Sequence, residues 1–169
     1  MTADYSKLAV YDLNAYLWQK LQDAGLFNKS DYYVDNLSSY VVPIIPAQQI
    51  PEFNNLIPGK PYIVYDYVVK PSGQYWYVTE ENVTYTILSQ NYDQLNKILN
   101  FINDTFRRFD TVAKEIDAYY GESSVFDFHY IYVDGIVSPQ HFQNEGGFMI
   151  AEADIGVSYA RKTDTNGRF

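Results

Sequence analysis

From Phe148 to Ala160 the chain alternates. Ala151, Ala153, Ile155, Val157 and Tyr159 occupy one parity, and Glu152, Asp154, Gly156 and Ser158 the other. A strand turns successive side chains to opposite faces, so this segment requires a sheet with one face in a core and the other in water. Val125–Val133 repeats the pattern, with Phe126, Phe128, Tyr130 and Tyr132 on one face and Asp127, His129 and Ile131 on the other. Tyr62–Lys70, Tyr75–Thr79 and Val83–Ser89 read as three further strands, the first two joined by a turn at Pro71-Ser72-Gly73-Gln74. Asp134-Gly135 then opens a loop that runs to Gly146-Gly147.

Helical spacing punctuates these strands. Tyr5–Ala24 carries Val10, Leu13, Leu17 and Leu21 on one face, with Asp4 as a cap and Gly25 as a stop. A second helix starts at the Asn91 cap. Its apolar stripe is Leu95, Ile98, Leu99, Ile102, Phe106 and Phe109. Asp110 opens a shorter helix through Val112, Ile116 and Tyr119 to Gly121, either separate or continuous through a kink. Strands and helices are segregated, which predicts an α+β fold: an antiparallel or mixed sheet with helices packed on one face.

A chain of 169 residues suits a single domain spanning 1–169. Within it, Pro43, Pro46, Pro51, Pro58 and Pro61 punctuate 28–61, where a long helix or central strand is disfavoured. That segment reads as an extended arm with one short edge strand, or as a long loop that wraps its own domain, and 161–169 as a mobile tail.

Composition narrows the chemistry. Lys and Arg number 12 against 21 Asp and Glu, a net charge of −9, which is the wrong sign for a nucleic-acid footprint. There is no cysteine, which excludes disulfides, thiolate metal sites and cysteine nucleophiles. The first residues show no basic-then-apolar leader, and no run approaches the ~18 apolar residues of a membrane span. No phosphate loop, nucleophile elbow or His-Glu-x-x-His motif is present. One polar set invites a metal reading: Asp127 and His129 share a strand face, as do Glu152 and Asp154, and oxygen-rich sets of this kind hold Mg²⁺ or Ca²⁺ in nucleases and hydrolases. The simpler account is the wet face of a one-sided sheet. We therefore expect no catalytic residues, no metal and no cofactor. A second alternative is a sugar- or peptide-binding module, since Tyr supplies 18 residues and favours interfaces.

The order of elements carries a resemblance. An N-terminal helix precedes Pro61-Tyr62-Ile63-Val64-Tyr65-Asp66-Tyr67, and Asn82-Val83-Thr84-Tyr85-Thr86-Ile87 leads into a helix at Asp93-Gln94-Leu95. The last strand passes through Ile155-Gly156-Val157-Ser158-Tyr159-Ala160. This pattern resembles the tail terminator and neck (head-tail joining) proteins of tailed bacteriophages over 5–24 and 60–160. The resemblance implies a virion protein, assembled in the host cytoplasm, that forms a homo-hexameric ring on the tail tube. Such a ring stops tube growth, meets the head-side connector or neck proteins and, in contractile tails, the sheath. DNA would be passing cargo only, with no membrane involved and no catalysis. Strand edges and the arm would join neighbours around the ring by strand addition. Candidate interface residues are Tyr40, Ile44 and Ile45 in the arm, the basic pair Arg107 and Arg108, and His141 and Phe142 in the late loop.

Overall fold

A computed structural model describes residues 6–47, 53, 55–70, 77–139 and 147–162. The described residues form the helices α1 (Ala9–Asp23), α2 (Tyr92–Phe106) and α3 (Asp110–Tyr120). Among the described residues seven strands accompany them: β1 (Tyr33–Val34), β2 (Ser39–Tyr40), β3 (Ile44–Pro46), β4 (Tyr62–Lys70), β5 (Val78–Ser89), β6 (Phe126–Val137) and β7 (Met149–Arg161). β1 and β2 make a small separate hairpin. The main sheet has the order β3-β4-β5-β7-β6, antiparallel throughout except for the parallel β3–β4 pair. The fold is α+β with a mixed sheet, as the segregation of elements predicts. No described helix is long and apolar enough to cross a membrane.

One face of the sheet is covered by helices. Val83, Tyr85 and Ile87 of β5 and Ala151, Ala153, Ile155 and Val157 of β7 meet the apolar stripes of α1, α2 and α3, all of them buried. Small Ala151 and Ala153 let α2 lie close to the sheet, and bulky Tyr85 stacks on Phe106 at 6.2 Å. The Tyr85 hydroxyl donates to Asn14 Oδ1 at 2.8 Å, so the one polar side chain that α1 buries is satisfied. Asn91 caps α2 by accepting from Gln94 N–H at 3.0 Å, and Ser89 Oγ donates to the Gln94 side chain at 2.9 Å, completing the cap. Gly25 ends α1 with a φ of 71°, as expected of a glycine stop.

Several sequence expectations are corrected. Tyr75–Thr79 and Val83–Ser89 are not two strands: the described residues form one strand from Val78 to Ser89, because Glu80, Glu81 and Asn82 each find a partner on β4 and β7. β6 does not end at Val133. It passes through Asp134 and Gly135 to Val137, absorbing one extra residue at His129 and another at Asp134 as bulges. The first bulge resets the parity, so Phe126 and Phe128 face the helices but Tyr130 and Tyr132 face away. Ile131 is thereby fully buried on the helix side. α2 and α3 are separate helices. Phe109, expected in the apolar stripe, sits at their corner with φ 58° and ψ −116° and is half exposed. That backbone region costs a non-glycine residue about 1–3 kcal/mol. The stacking of Phe109 on Tyr130 at 4.9 Å and its carbonyl bond to Ile131 N–H at 3.3 Å hold it there.

Of its two readings, the proline-punctuated segment matches, over its described residues, the loop that wraps its own domain rather than the extended arm. Its described residues fold back on their own domain, where Tyr32, Val34, Ile44, Ile45, Phe53 and Ile57 are buried. The prolines mark the ends of short elements rather than interrupting long ones. Tyr32 donates its hydroxyl to the Pro61 carbonyl at 2.5 Å, and Ile63 N–H donates to the Pro43 carbonyl at 2.8 Å, which places β3 against β4. The rings of Trp18, Phe27, Tyr32, Phe53, Tyr62 and Phe148 form a contiguous chain around this end of the sheet. Arg161 ends β7. Residues 163–169 of the expected tail, and the turn at Pro71–Gln74, lie outside the described residues.

Candidate interaction surface

The expected interface residues separate into distinct environments. Tyr40 is exposed on the small hairpin, edge-on to Tyr33 at 5.0 Å with the Lys29 ammonium 4.6 Å above its ring. Ile44 and Ile45 are not surface residues. They form β3, paired with Ile63 and Val64, and are buried. Their aliphatic side chains complete the core instead of meeting a neighbour. His141 and Phe142 lie outside the described residues.

Arg107 and Arg108 are exposed but not unpaired. Arg107 meets Asp104 at 3.2 Å, one turn back on α2. Arg108 makes a two-pronged bond to Glu115 of α3, both contacts 2.6 Å, and the Tyr16 hydroxyl of α1 donates to the same carboxylate at 3.1 Å. Arg108 holds the Glu115 carboxyl below the usual carboxylate range, while burial, with Glu115 adding to it, pushes the Tyr16 hydroxyl up to about 12. These groups line an open groove of about 730 Å³ with Lys20, Phe101, Thr105 and Tyr119. Here the Arg108 fork ties α1 and α3 to the corner between α2 and α3, whereas Arg107 pairs only along its own helix.

The carboxylate and imidazole set does not converge. Asp127 pairs with Ala160 near one end of β7, whereas Glu152 pairs with Thr86 and Val137 near the other. Eight residues of strand separate them, about 26 Å at the rise of a β-strand. His129 is itself the bulged residue of β6. Among the described residues no group of three or more His, Asp or Glu side chains is placed to hold a metal ion.

The structure instead presents the face of the sheet opposite the helices. Reading the register across β4, β5, β7 and β6 gives the rows Val68–Asn82–Gly156–Tyr132 and Asp66–Thr84–Asp154–Gly135. Among the described residues of these strands, Asp66, Glu80, Asp127, Glu152 and Asp154 share this face with one ammonium, Lys70. Thr84 Oγ1 donates to Asp154 at 2.7 Å and the Tyr130 hydroxyl donates to Glu80 at 3.0 Å, so these carboxylates are oriented by their neighbours. Tyr132 lies flat over Gly156, so close that a Cβ there would collide with the ring. The even parity of β7 made half of this face readable. Its Tyr130 and Tyr132 border was hidden, because a bulge leaves no periodic mark in a single strand.

Compared with known protein families the chain matches no family model, and compared with curated protein sequences it matches none.

Proposed function

We propose that the protein is a structural component of a tailed-phage virion, a tail terminator or closely related neck protein, which acts as a ring through which DNA passes. The observation that supports this reading is the charge on the sheet face opposite the helices. Helices shield one side of a long sheet, and among the described residues of its strands the other side carries Asp66, Glu80, Asp127, Glu152 and Asp154 against one ammonium, Lys70. Turned toward a central channel, that face sets like charge against DNA phosphates. The repulsion keeps the polymer from sticking to the wall while it slides. A metal-dependent hydrolase is disfavoured by the same geometry, since its carboxylates and imidazole stand at opposite ends of two strands.

The test is native mass spectrometry with negative-stain electron microscopy across a concentration series, on the protein alone and mixed with tail tubes. A closed ring with a central opening, six-fold by the resemblance, is the expected result. A monomer under every one of these conditions overturns the proposal.

A further inference from the structure

The main sheet has two open edges with matched geometry. On the outer side of β4, β3 covers Ile63–Tyr65, and among the described residues nothing pairs with Asp66–Lys70. On the outer side of β6 the α2–α3 corner touches the strand at Ile131, and among the described residues nothing pairs with the stretch from Tyr132 to Val137. Both stretches carry exposed aliphatic side chains: Val68 and Val69 are 62% and 55% exposed, Ile136 and Val137 40% and 43%. Open backbone donors and acceptors flanked by apolar side chains are a template for another strand. We propose that the occupant is a second copy of this chain, its Val68–Lys70 edge adding antiparallel to Gly135–Val137 and joining copies head to tail.

Direction, sterics, backbone polarity and side chains select the same pairing. β4 and β6 run in opposite directions within the sheet, so a second copy in the same orientation presents its β4 antiparallel to β6. The two copies cannot sit level. In a level arrangement the β3 strand of the second copy would be wedged against Ile136 and Val137, because β3 flanks Val64, whose row runs Val64–Thr86–Glu152–Val137. Phe109 would likewise strike Val69, whose row ends at Ile131. A stagger clears both obstacles.

Backbone polarity sets its size. Ile63 N–H points outward to Pro43, so Tyr65, Tyr67 and Val69 share that direction. Asp66 Oδ1 already accepts from Tyr67 N–H at 2.9 Å, which leaves Val69 as the outward residue open to a new ladder. On β6, Ile131 points outward to Phe109. Beyond the Asp134 bulge the same phase falls on Ile136, since Ala153 opposite it shares parity with Val157 opposite Ile131. Outward residues face one another in an antiparallel ladder, which places Val69 against Ile136.

Side chains then agree. Val68 meets Val137 on the polar face and Val69 meets Ile136 on the helix face. Lys70 stands over Gly135, where a Cβ would lie 3.6 Å from Asp154 Oδ2 and where the absent side chain leaves room for an ammonium. The offset is about four residues over four strands, about one per strand, which is the shear that accompanies the tilted strands of closed barrels. The inference rests on the ring reading for closure, but not for the pairing itself.

The chain has no cysteine, so a cross-link can be introduced without background. In this register Val68 and Val137 form a non-hydrogen-bonded pair with Cα atoms about 4.5 Å apart, within reach of a disulfide. Under oxidation the Val68→Cys/Val137→Cys variant is expected to give a ladder of covalent multimers. A mixture of the two single variants should give mainly dimers, and each single variant alone should give monomer. Both positions are exposed, and circular dichroism checks that the variants are folded. Prominent cross-linking by either single variant alone would overturn the head-to-tail arrangement in favour of like edges pairing. No cross-link, with the unmodified chain still forming a ring in native mass spectrometry, would overturn the edge pairing and leave the ring reading standing. No cross-link and only monomer would overturn both.

Discussion

Single positions expose how finely the sheet is fitted. At Gly156 the Tyr132 ring occupies the place of a side chain, whereas at Gly135 a Cβ would make only ordinary contact with Asp154. Gly156→Ala is therefore expected to destabilise the monomer by about 1–3 kcal/mol, the range for overpacking, and Gly135→Ala by clearly less. Urea denaturation of both variants checks the contrast. Glu81 is the second case. It lies on the helix face of β5, 4% exposed, and burial raises its pKa against the lowering effects of a Tyr159 hydrogen bond and the Arg161 charge. A raised folded pKa favours the protonated native state, so its contribution is fully present below the unfolded value of about 4.3 and is lost as pH rises through the folded value. Glu81→Gln removes that titration. Thermal melts should show the variant gaining on the parent chain between acid and neutral pH. A constant difference across that window would refute the assignment.

Elements are secured by local chemistry that the sequence displays in part. Asn91 caps α2 as its position before the apolar stripe indicates. Asn91→Ala is expected to cost about 1 kcal/mol, readable as a lower denaturation midpoint with an unchanged slope. The apolar stripes of the three helices were legible because a helix buries one face at a fixed spacing. The corner between α2 and α3 was not. Phe109 fits the stripe by spacing, but its positive φ and its place over Tyr130 follow from the edge of β6, which is distant in sequence. The two bulges belong to the same class. The alternation of Phe126 to Tyr132 predicts four aromatic side chains on one face, and the register divides them two and two.

For the whole molecule, the proposed ring makes charge the variable to change. Among the described residues of the strands, Lys70 is the one cation beside the carboxylates of the face opposite the helices, and it stands at the proposed joint beside Asp154. Lys70→Glu should shift assembly toward monomer, and the effect should weaken as salt rises, because exposed charges are screened within about 10 Å at moderate ionic strength. Native mass spectrometry in volatile salt at two ionic strengths reads this out. Reversing the wall with Asp127→Lys, at the far end of β7 from the joint, should leave ring formation intact and convert a channel that repels DNA into one that retains it in a salt-dependent way. Filter retention of duplex DNA by the assembled variant, compared with the unaltered ring, distinguishes the outcomes. Equal retention would count against an open face turned toward DNA.

By itself the sequence determined the α+β class, the helical stripes, the parity of β7 and the absence of cysteine chemistry. Each of these is a local property: periodicity over one or two turns, a cap beside its helix, a residue type present or missing. Tertiary structure decided the rest. It folded the proline-rich segment onto the sheet, buried Ile44 and Ile45, spent Arg108 on Glu115, and kept Asp127 and Glu152 apart. Among the described residues it also left the two strand edges open. The physical reason is common to all of these. Which residues meet across strands and helices depends on register and on a few bulges, and a one-residue shift in a strand exchanges its faces without altering the composition from which a sequence is read.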